Sequence, residues 1–265
     1  MSILHFTILG CGSSGGVPRV GGLWGDCDPE NPKNRRLRCS LLVELISNNR
    51  TTRVLIDTSP DLREQLLSVG VGTLDGVVFT HPHADHVNGL DDLRVVYINQ
   101  HKRVPVWANK FTREALLTRF NYAFIQPEGS PYPPILELNR LQGPISVDGE
   151  GGKIEFVPFA VEHGNITSYG FKIGPVVYLP DISDMNDKAW SFVQDIPCWI
   201  VDALRRKPHP SHSHLARTLE WIEKASPKRA ILTNMHIDLD YDTILNETPD
   251  NVEPAFDGLT ISFEV

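Results

Sequence analysis

Short apolar runs alternate with polar, glycine-rich turns along the whole chain, and the apolar period switches repeatedly from two to three or four. Residues 4–9 read as a first strand that runs into Gly10-Cys11-Gly12-Ser13-Ser14-Gly15-Gly16-Val17-Pro18. That turn permits close backbone approach. It lacks the Lys-Ser/Thr of a Walker loop, which favours a tight turn over a phosphate cradle. Residues 19–38 read as a loop rich in Gly, Pro, Asn and charge. Residues 40–46 and 52–56 read as paired strands about Asn48-Asn49, 61–69 as a helix and 74–80 as a short buried strand. From residue 87 to 100, Val87, Leu90, Leu93, Val96 and Tyr97 follow a helical spacing. A strand at 104–108 and a helix at 111–120 come next. Residues 121–134, with Tyr122, Phe124, Tyr132 and several prolines, read as a hydrophobic loop packed on the domain; a pocket wall, a lid or an oligomer contact are the alternatives.

The second half repeats this character. Strands are expected at 154–159, 168–173, 175–179, 198–201, 229–233 and 259–265, with helices at 185–193 and 215–225. No linker, repeat or low-complexity stretch divides the chain, so the pattern predicts one α/β domain over residues 1–265 with two stacked sheets.

Composition narrows the class. Of 265 residues, 41% are hydrophobic and 22% charged, which suits a soluble globular enzyme. A net charge of −8 gives no general attraction for long nucleic acid, so a long RNA or DNA partner is not expected. Cys11, Cys27, Cys39 and Cys198 follow neither a disulfide-like nor a C-x-x-C spacing. The stretch Met1-Ser2-Ile3-Leu4-His5 lacks a basic region followed by an apolar core, and no run approaches the ~18 apolar residues that span a bilayer. A cytoplasmic, reduced protein without membrane contact is expected.

The candidate chemistry is concentrated in Thr80-His81-Pro82-His83-Ala84-Asp85-His86, between a strand and a helix. Imidazoles and carboxylates are the side chains that bind a borderline divalent metal. This H-x-H-x-D-H run resembles the signature of the metallo-β-lactamase superfamily, and the resemblance extends over most of the chain. It implies a four-layer αββα sandwich with a dinuclear metal site at one edge. Its later ligands match His163 in Val161-Glu162-His163-Gly164, Asp181 in Tyr178-Leu179-Pro180-Asp181 and His236 in Thr233-Asn234-Met235-His236. By resemblance, His81, His83 and His163 bind one metal, Asp85, His86 and His236 the other, and Asp181 bridges them. Zinc and manganese both suit this set. Asp57 either supports the metal loop or caps the helix that follows.

Within the superfamily, the chain is similar to the phosphoribosyl cyclic phosphate phosphodiesterases. The shared features are a 19–38 insertion ending in Arg35-Arg36-Leu37-Arg38-Cys39-Ser40, the run Gly89-Leu90-Asp91-Asp92-Leu93-Arg94, and His209-Pro210-Ser211-His212. The likeness implies that His212 is a general acid at the leaving oxygen, a task that suits an unperturbed pKa of about 6.5. Asp85 is the second expected catalytic residue, and His209 a candidate substrate contact. Arg94 either reaches a substrate phosphate or pairs with Asp91 at the surface. In several relatives the insertion's cysteines and a late histidine hold a structural zinc. Here only Cys27 lies inside the insertion, Cys39 closes it, and Leu239 stands three residues after His236, so semi-buried thiols rather than a zinc are expected. The implied reaction is hydrolysis of a small cyclic phosphodiester, a ribose 1,2-cyclic phosphate or a nucleoside 2′,3′-cyclic phosphate, by water held between two metals. The competing readings are a quinone-cofactor assembly protein, a thioester or lactone hydrolase, and a tRNA 3′-processing nuclease that would need a basic arm. Dimers are common among such relatives, so a homodimer is expected by resemblance.

Overall fold

The computed structural model describes residues 2–265. The chain folds as two compact units. One contains the N-terminal strand, residues 40–155 and the last strand; the other contains residues 10–39 and 156–259.

The first unit is built on a seven-stranded sheet. Its strands are β1 (Ser2–Gly10), β2 (Ser40–Ser47), β3 (Arg50–Ile56), β4 (Gly76–Val78), β5 (Val104–Ala108), β6 (Leu136–Arg140) and β14 (Thr260–Glu264), in the order β14-β1-β2-β3-β4-β5-β6. Strands β3 to β6 run parallel; β2 and β3 form an antiparallel hairpin, and β1 pairs antiparallel with β14. The register sets Leu42, Leu55, Val77, Val106 and Leu138 side by side. Helices α1 (Leu62–Ser68), α3 (Leu93–Gln100) and α4 (Lys110–Phe124) add Leu62, Leu66, Leu93, Val96 and Leu116 to the same core. The alternate residues Val43, Val54, Ile56 and Val78 are buried as well. A sheet covered on both faces explains why these strands read as nearly continuous apolar runs.

The second sheet follows the order β13-β12-β11-β10-β9-β8-β7. Its strands are β7 (Ile145–Gly149), β8 (Gly152–His163), β9 (Ile166–Ile173), β10 (Val176–Leu179), β11 (Cys198–Asp202), β12 (Arg229–Thr233) and β13 (Val252–Pro254). Strands β10 to β13 are parallel, and β8, β9 and β10 antiparallel. Helices α5 (Asp187–Val193), α6 (Leu215–Ala225) and α7 (Tyr241–Glu247) complete this half. Helix α6 buries Leu215, Thr218, Trp221, Ile222 and Ala225, the i, i+3, i+4 stripe of an amphipathic helix. Among the described residues no helix is long and apolar enough to cross a membrane.

The helix expected at 87–100 is interrupted. A short helix α2 (Ala84–Val87) is followed by a 3₁₀ turn at Leu90–Asp92 and then by α3. Gly89 is the reason. Its N–H donates to Thr58 O at 3.0 Å, and a Cβ there would lie 1.9 Å from Ser59 O. The expected loop at 121–134 is helical as far as Phe124, because α4 continues past a kink at Phe120 (φ −130°, ψ 34°) that breaks the apolar period. Strands β6, β7 and β13 were not foreseen. All three lie at sheet edges, where a strand needs only one neighbour and a short alternation is enough. Pro254 in β13 is tolerated for the same reason.

Two outcomes follow for stability. Leu55 lies mid-row and is fully buried, so Leu55→Ala should cost about 2–5 kcal/mol in denaturant unfolding; a loss well under 1 kcal/mol would show that the row is not packed as described. Asp257 accepts hydrogen bonds from Leu37 N (2.7 Å) and Cys11 N (3.2 Å), yet burial pushes its carboxyl up to about 7. With the folded value above the unfolded one, Asp257's contribution to stability falls as pH rises from about 4 to 7. The stability of wild type relative to Asp257→Asn should therefore decline across that window and level off above it; a flat difference in a pH series of unfolding curves would contradict this.

Candidate active site

In the first unit the residues of interest follow the carboxyl ends of parallel strands. Strands β3 and β4 end side by side, with Ile56 opposite Val78. Asp57 comes next, at φ 63°, a left-handed conformation that Asp adopts more readily than most residues. Its buried carboxylate accepts from Thr80 N (2.8 Å), Thr80 Oγ1 (2.7 Å) and His86 Nδ1 (2.8 Å). Since the Thr80 hydroxyl donates to Asp57, its oxygen accepts from His81 Nδ1 at 2.9 Å. Burial raises the Asp57 carboxyl, and the His86 and Thr80 contacts oppose that shift. Asp57 therefore organises the loop and does not cap α1, whose N-cap position is held by Asp61 without a side-chain cap bond. His83 stands exposed at the N-cap of α2, and Asp85 Oδ2 lies 3.6 Å from His86 Nε2. The ring centroids of His81 lie 4.6 Å from His83 and 4.3 Å from His86. From α4, Arg119 donates to Pro82 O at 2.6 Å and ties the loop down from outside.

The second unit uses the same rule. Strands β10, β11 and β12 lie parallel and in register, and their carboxyl ends lead to Asp181, Asp202 and Asn234. His163 ends β8; its Nδ1 donates to Ser211 O at 2.6 Å, and its Nε2 lies 3.4 Å from Asp181 Oδ2. His212 Nδ1 meets Asp202 Oδ2 at 2.9 Å, while its Nε2 lies 3.8 Å from the same Asp181 oxygen. Burial raises the Asp202 carboxyl above its ordinary range, and His212 opposes that rise. The Asn234 amide, at φ 60°, donates to Pro180 O (3.1 Å), Asp181 Oδ1 (3.3 Å) and Asp202 Oδ1 (3.3 Å), fixing both carboxylates. His236 donates from Nδ1 to Asp238 Oδ1 at 3.2 Å, and its Nε2 faces a guanidinium nitrogen of Arg19. Burial alone would raise Asp238, but hydrogen bonds from His236 and Arg206 N leave it lowered.

The donor set fits a divalent metal. His81, His86, His163 and His236 each engage Nδ1 with an oxygen, which leaves Nε2 to carry the lone pair. That second hydrogen bond is the usual device for aiming a metal-binding imidazole.

Other expected residues are placed differently. Arg94 pairs with Asp91 at 2.9 Å, and Tyr122 OH donates to the same carboxylate oxygen at 2.8 Å, so the surface ion pair is the arrangement found. His209 sits 5.2 Å from His212, ring to ring, and its Nδ1 accepts from Ser211 N at 3.3 Å. Burial lowers its pKa, and the neighbouring His212 and Arg205 charges act in the same direction. Cys27 and Cys39 are fully rather than partly buried. Burial also raises the Cys27 thiol, and Arg36 lies 3.8 Å from its sulfur. Asp202, Asn234 and Arg19 were not singled out as site residues from the sequence. For the first two the signal was present: each is the polar residue that closes an apolar run read as a strand.

A family model described as a beta-lactamase superfamily domain matches residues 52–237. The chain thus belongs to the metallo-β-lactamase superfamily of hydrolases, and its two mixed sheets have that fold. Among solved structures it is similar to one described as a new diphosphatase from the PhnP family, with 34% identity, a TM-score of 0.87 and coverage of 100% of this chain and 99% of that one. Zn(2+)-bound PqqB from Methylobacterium extorquens shares the fold at 14% identity and a TM-score of 0.70, covering 97% of this chain and 99% of that one. An octanoyltransferase of Porphyromonas gingivalis (strain ATCC BAA-308 / W83) is 32% identical over 257 residues, which is 95% of this chain. The chain spans 50% of that curated relative's length.

If Asp57 aims two imidazoles, Asp57→Ala should weaken divalent-metal binding by about 10–100-fold in calorimetric titration. Unchanged affinity would leave Asp57 a purely structural residue.

Proposed function

We propose that this protein is a dinuclear-metal phosphodiesterase that hydrolyses a small cyclic phosphodiester, either a ribose 1,2-cyclic phosphate or a nucleoside 2′,3′-cyclic phosphate. The observation that carries the reading is His212. Asp202 holds its Nδ1 at 2.9 Å, and its Nε2 is turned toward Asp181 Oδ2, 3.8 Å away. A carboxylate behind one ring nitrogen keeps a proton available at the other, as a general acid requires. Ring opening by water breaks one P–O bond and leaves a phosphomonoester and a free hydroxyl. The departing oxygen takes the His212 proton.

On this reading His81, His83 and His163 would hold one cation, Asp85, His86 and His236 a second, and Asp181 would serve both. Two divalent cations, zinc or manganese, would supply Lewis acidity and would make a bound water more acidic. Asp57, Ser211 and Asp238 orient the imidazoles, and Asn234 keeps Asp181 from turning away. The 34% identity to a PhnP-family diphosphatase over the whole chain supports phosphoester chemistry, and that protein's description makes a diphosphate the second substrate class. The octanoyltransferase relative supports no acyl-transfer reading, since half of its length lies outside the match. The PqqB likeness is one of fold alone. A cytoplasmic homodimer acting on a soluble small molecule goes with this reading.

The test is metal-dependent turnover on a panel of ribose 1,2-cyclic phosphate, nucleoside 2′,3′-cyclic phosphates, a diphosphate ester, bis(p-nitrophenyl) phosphate and a thioester. Turnover of the cyclic phosphates is expected; silence on every phosphoester with the metal in place would overturn the proposal. His212→Ala should retain metal and lose about 10²–10⁴-fold on the cyclic phosphates. Its loss on bis(p-nitrophenyl) phosphate, whose leaving group needs no proton, should be much smaller. Equal losses would remove His212 as the acid.

A further inference from the structure

Arg19 opens a tight hairpin at the start of the insertion. Its N–H donates to Leu23 O at 2.9 Å and its carbonyl accepts from Gly22 N at 2.9 Å, so its backbone is fixed. The side chain lies across Gly15, where a Cβ would come within 3.2 Å of Arg19 Nε. The guanidinium then reaches His236 Nε2. Since His236 Nδ1 donates to Asp238, the nitrogen facing Arg19 is the one with the lone pair. Among the described residues no carboxylate pairs with Arg19. A guanidinium is charged at any working pH and presents its donors as a planar fork. This one is half-buried, touches one neutral acceptor and has charge and donors to spare.

We infer that Arg19 is a substrate-anion residue, which takes a non-bridging phosphoryl oxygen on the His236 side of the site. The inference rests on the phosphoesterase reading. His236 Nε2 has a single lone pair, so it serves either the Arg19 donor or a cation. With a cation there, Arg19 loses its acceptor and faces a like charge. A phosphate oxygen relieves both, because it accepts from the fork and neutralises it. Arg19 therefore links the two ligands: it competes with the cation for His236 and cooperates with the anion.

The two effects have opposite signs, which makes them separable from a structural role. Manganese and then inorganic phosphate are titrated calorimetrically into wild type, Arg19→Gln and Arg19→Lys. Arg19→Gln should bind the second manganese at least as tightly as wild type, and phosphate about 10-fold or more weakly. Arg19→Lys should fall between, having the charge without the fork. Equal phosphate affinity in all three proteins, or no phosphate binding by wild type, overturns the inference. So does weaker manganese binding by Arg19→Gln, which would make Arg19 a prop for His236. Phosphate binding needs no turnover, so the two failures are distinguishable. Arg19-dependent phosphate affinity without hydrolysis of any phosphoester sinks only the proposed reaction, whereas hydrolysis with Arg19-independent phosphate affinity sinks only this inference.

Discussion

A carboxylate buried among strands costs several kcal/mol unless its oxygens are hydrogen-bonded, and Asp57 and Asp202 meet that demand with imidazoles. Asp57 spends its other bonds on the backbone and hydroxyl of Thr80, and through that hydroxyl it also sets His81. Asp202 receives Ile182 N and the Asn234 amide as well as His212. In each unit, the need to satisfy one buried acid fixes which ring nitrogen points outward. The candidate chemistry of the site depends on that choice, because only Nε2 is left to face a metal or a leaving group.

The insertion at 19–38 does comparable work for His236. Arg36 is almost wholly buried and donates to Leu239 O at 2.7 Å and His236 O at 3.4 Å. Asp26 N donates to Ile237 O at 2.8 Å, an approach so close that a Cβ at Gly25, φ 61°, would meet that oxygen at 2.4 Å. Asn34 receives the N–H of Tyr241 and donates to Asp240. A buried guanidinium and several main-chain bonds thus hold the loop that carries His236, in a protein whose insertion contains one cysteine.

What could be read from the sequence follows from how local each signal is. The central strands and α6 were legible because residues such as Leu55, Val77 and Ile231 are apolar at every turn of the period, whichever neighbour they meet. The edge strands β6, β7 and β13 were not, since five or fewer residues with one partner leave little periodicity. The expected metal ligands stood out as residue types in a spaced motif. Arg94 and Asp91 show the limit of such reading: the run Gly89 to Arg94 was visible, but whether the arginine turns to a substrate or to its own neighbour is settled by side-chain reach. Arg19 was hidden for the opposite reason. Its role comes from contact with a residue 217 positions away, which no local pattern encodes.

The pairing of β1 with β14, Ile3 opposite Glu264, carries a consequence for how the chain acquires its shape during synthesis. The first sheet is begun by residues 2–10 and is closed at that edge only when residues 260–264 emerge from the ribosome. Until then β1 offers a bare row of amides and carbonyls, the kind of edge that invites pairing with another nascent chain. The intervening residues, which include 40–155 of the same unit, are made while that edge stands open. Contacts of such long sequence separation form slowly. The last strand is therefore as much a guard against aggregation as a member of the sheet.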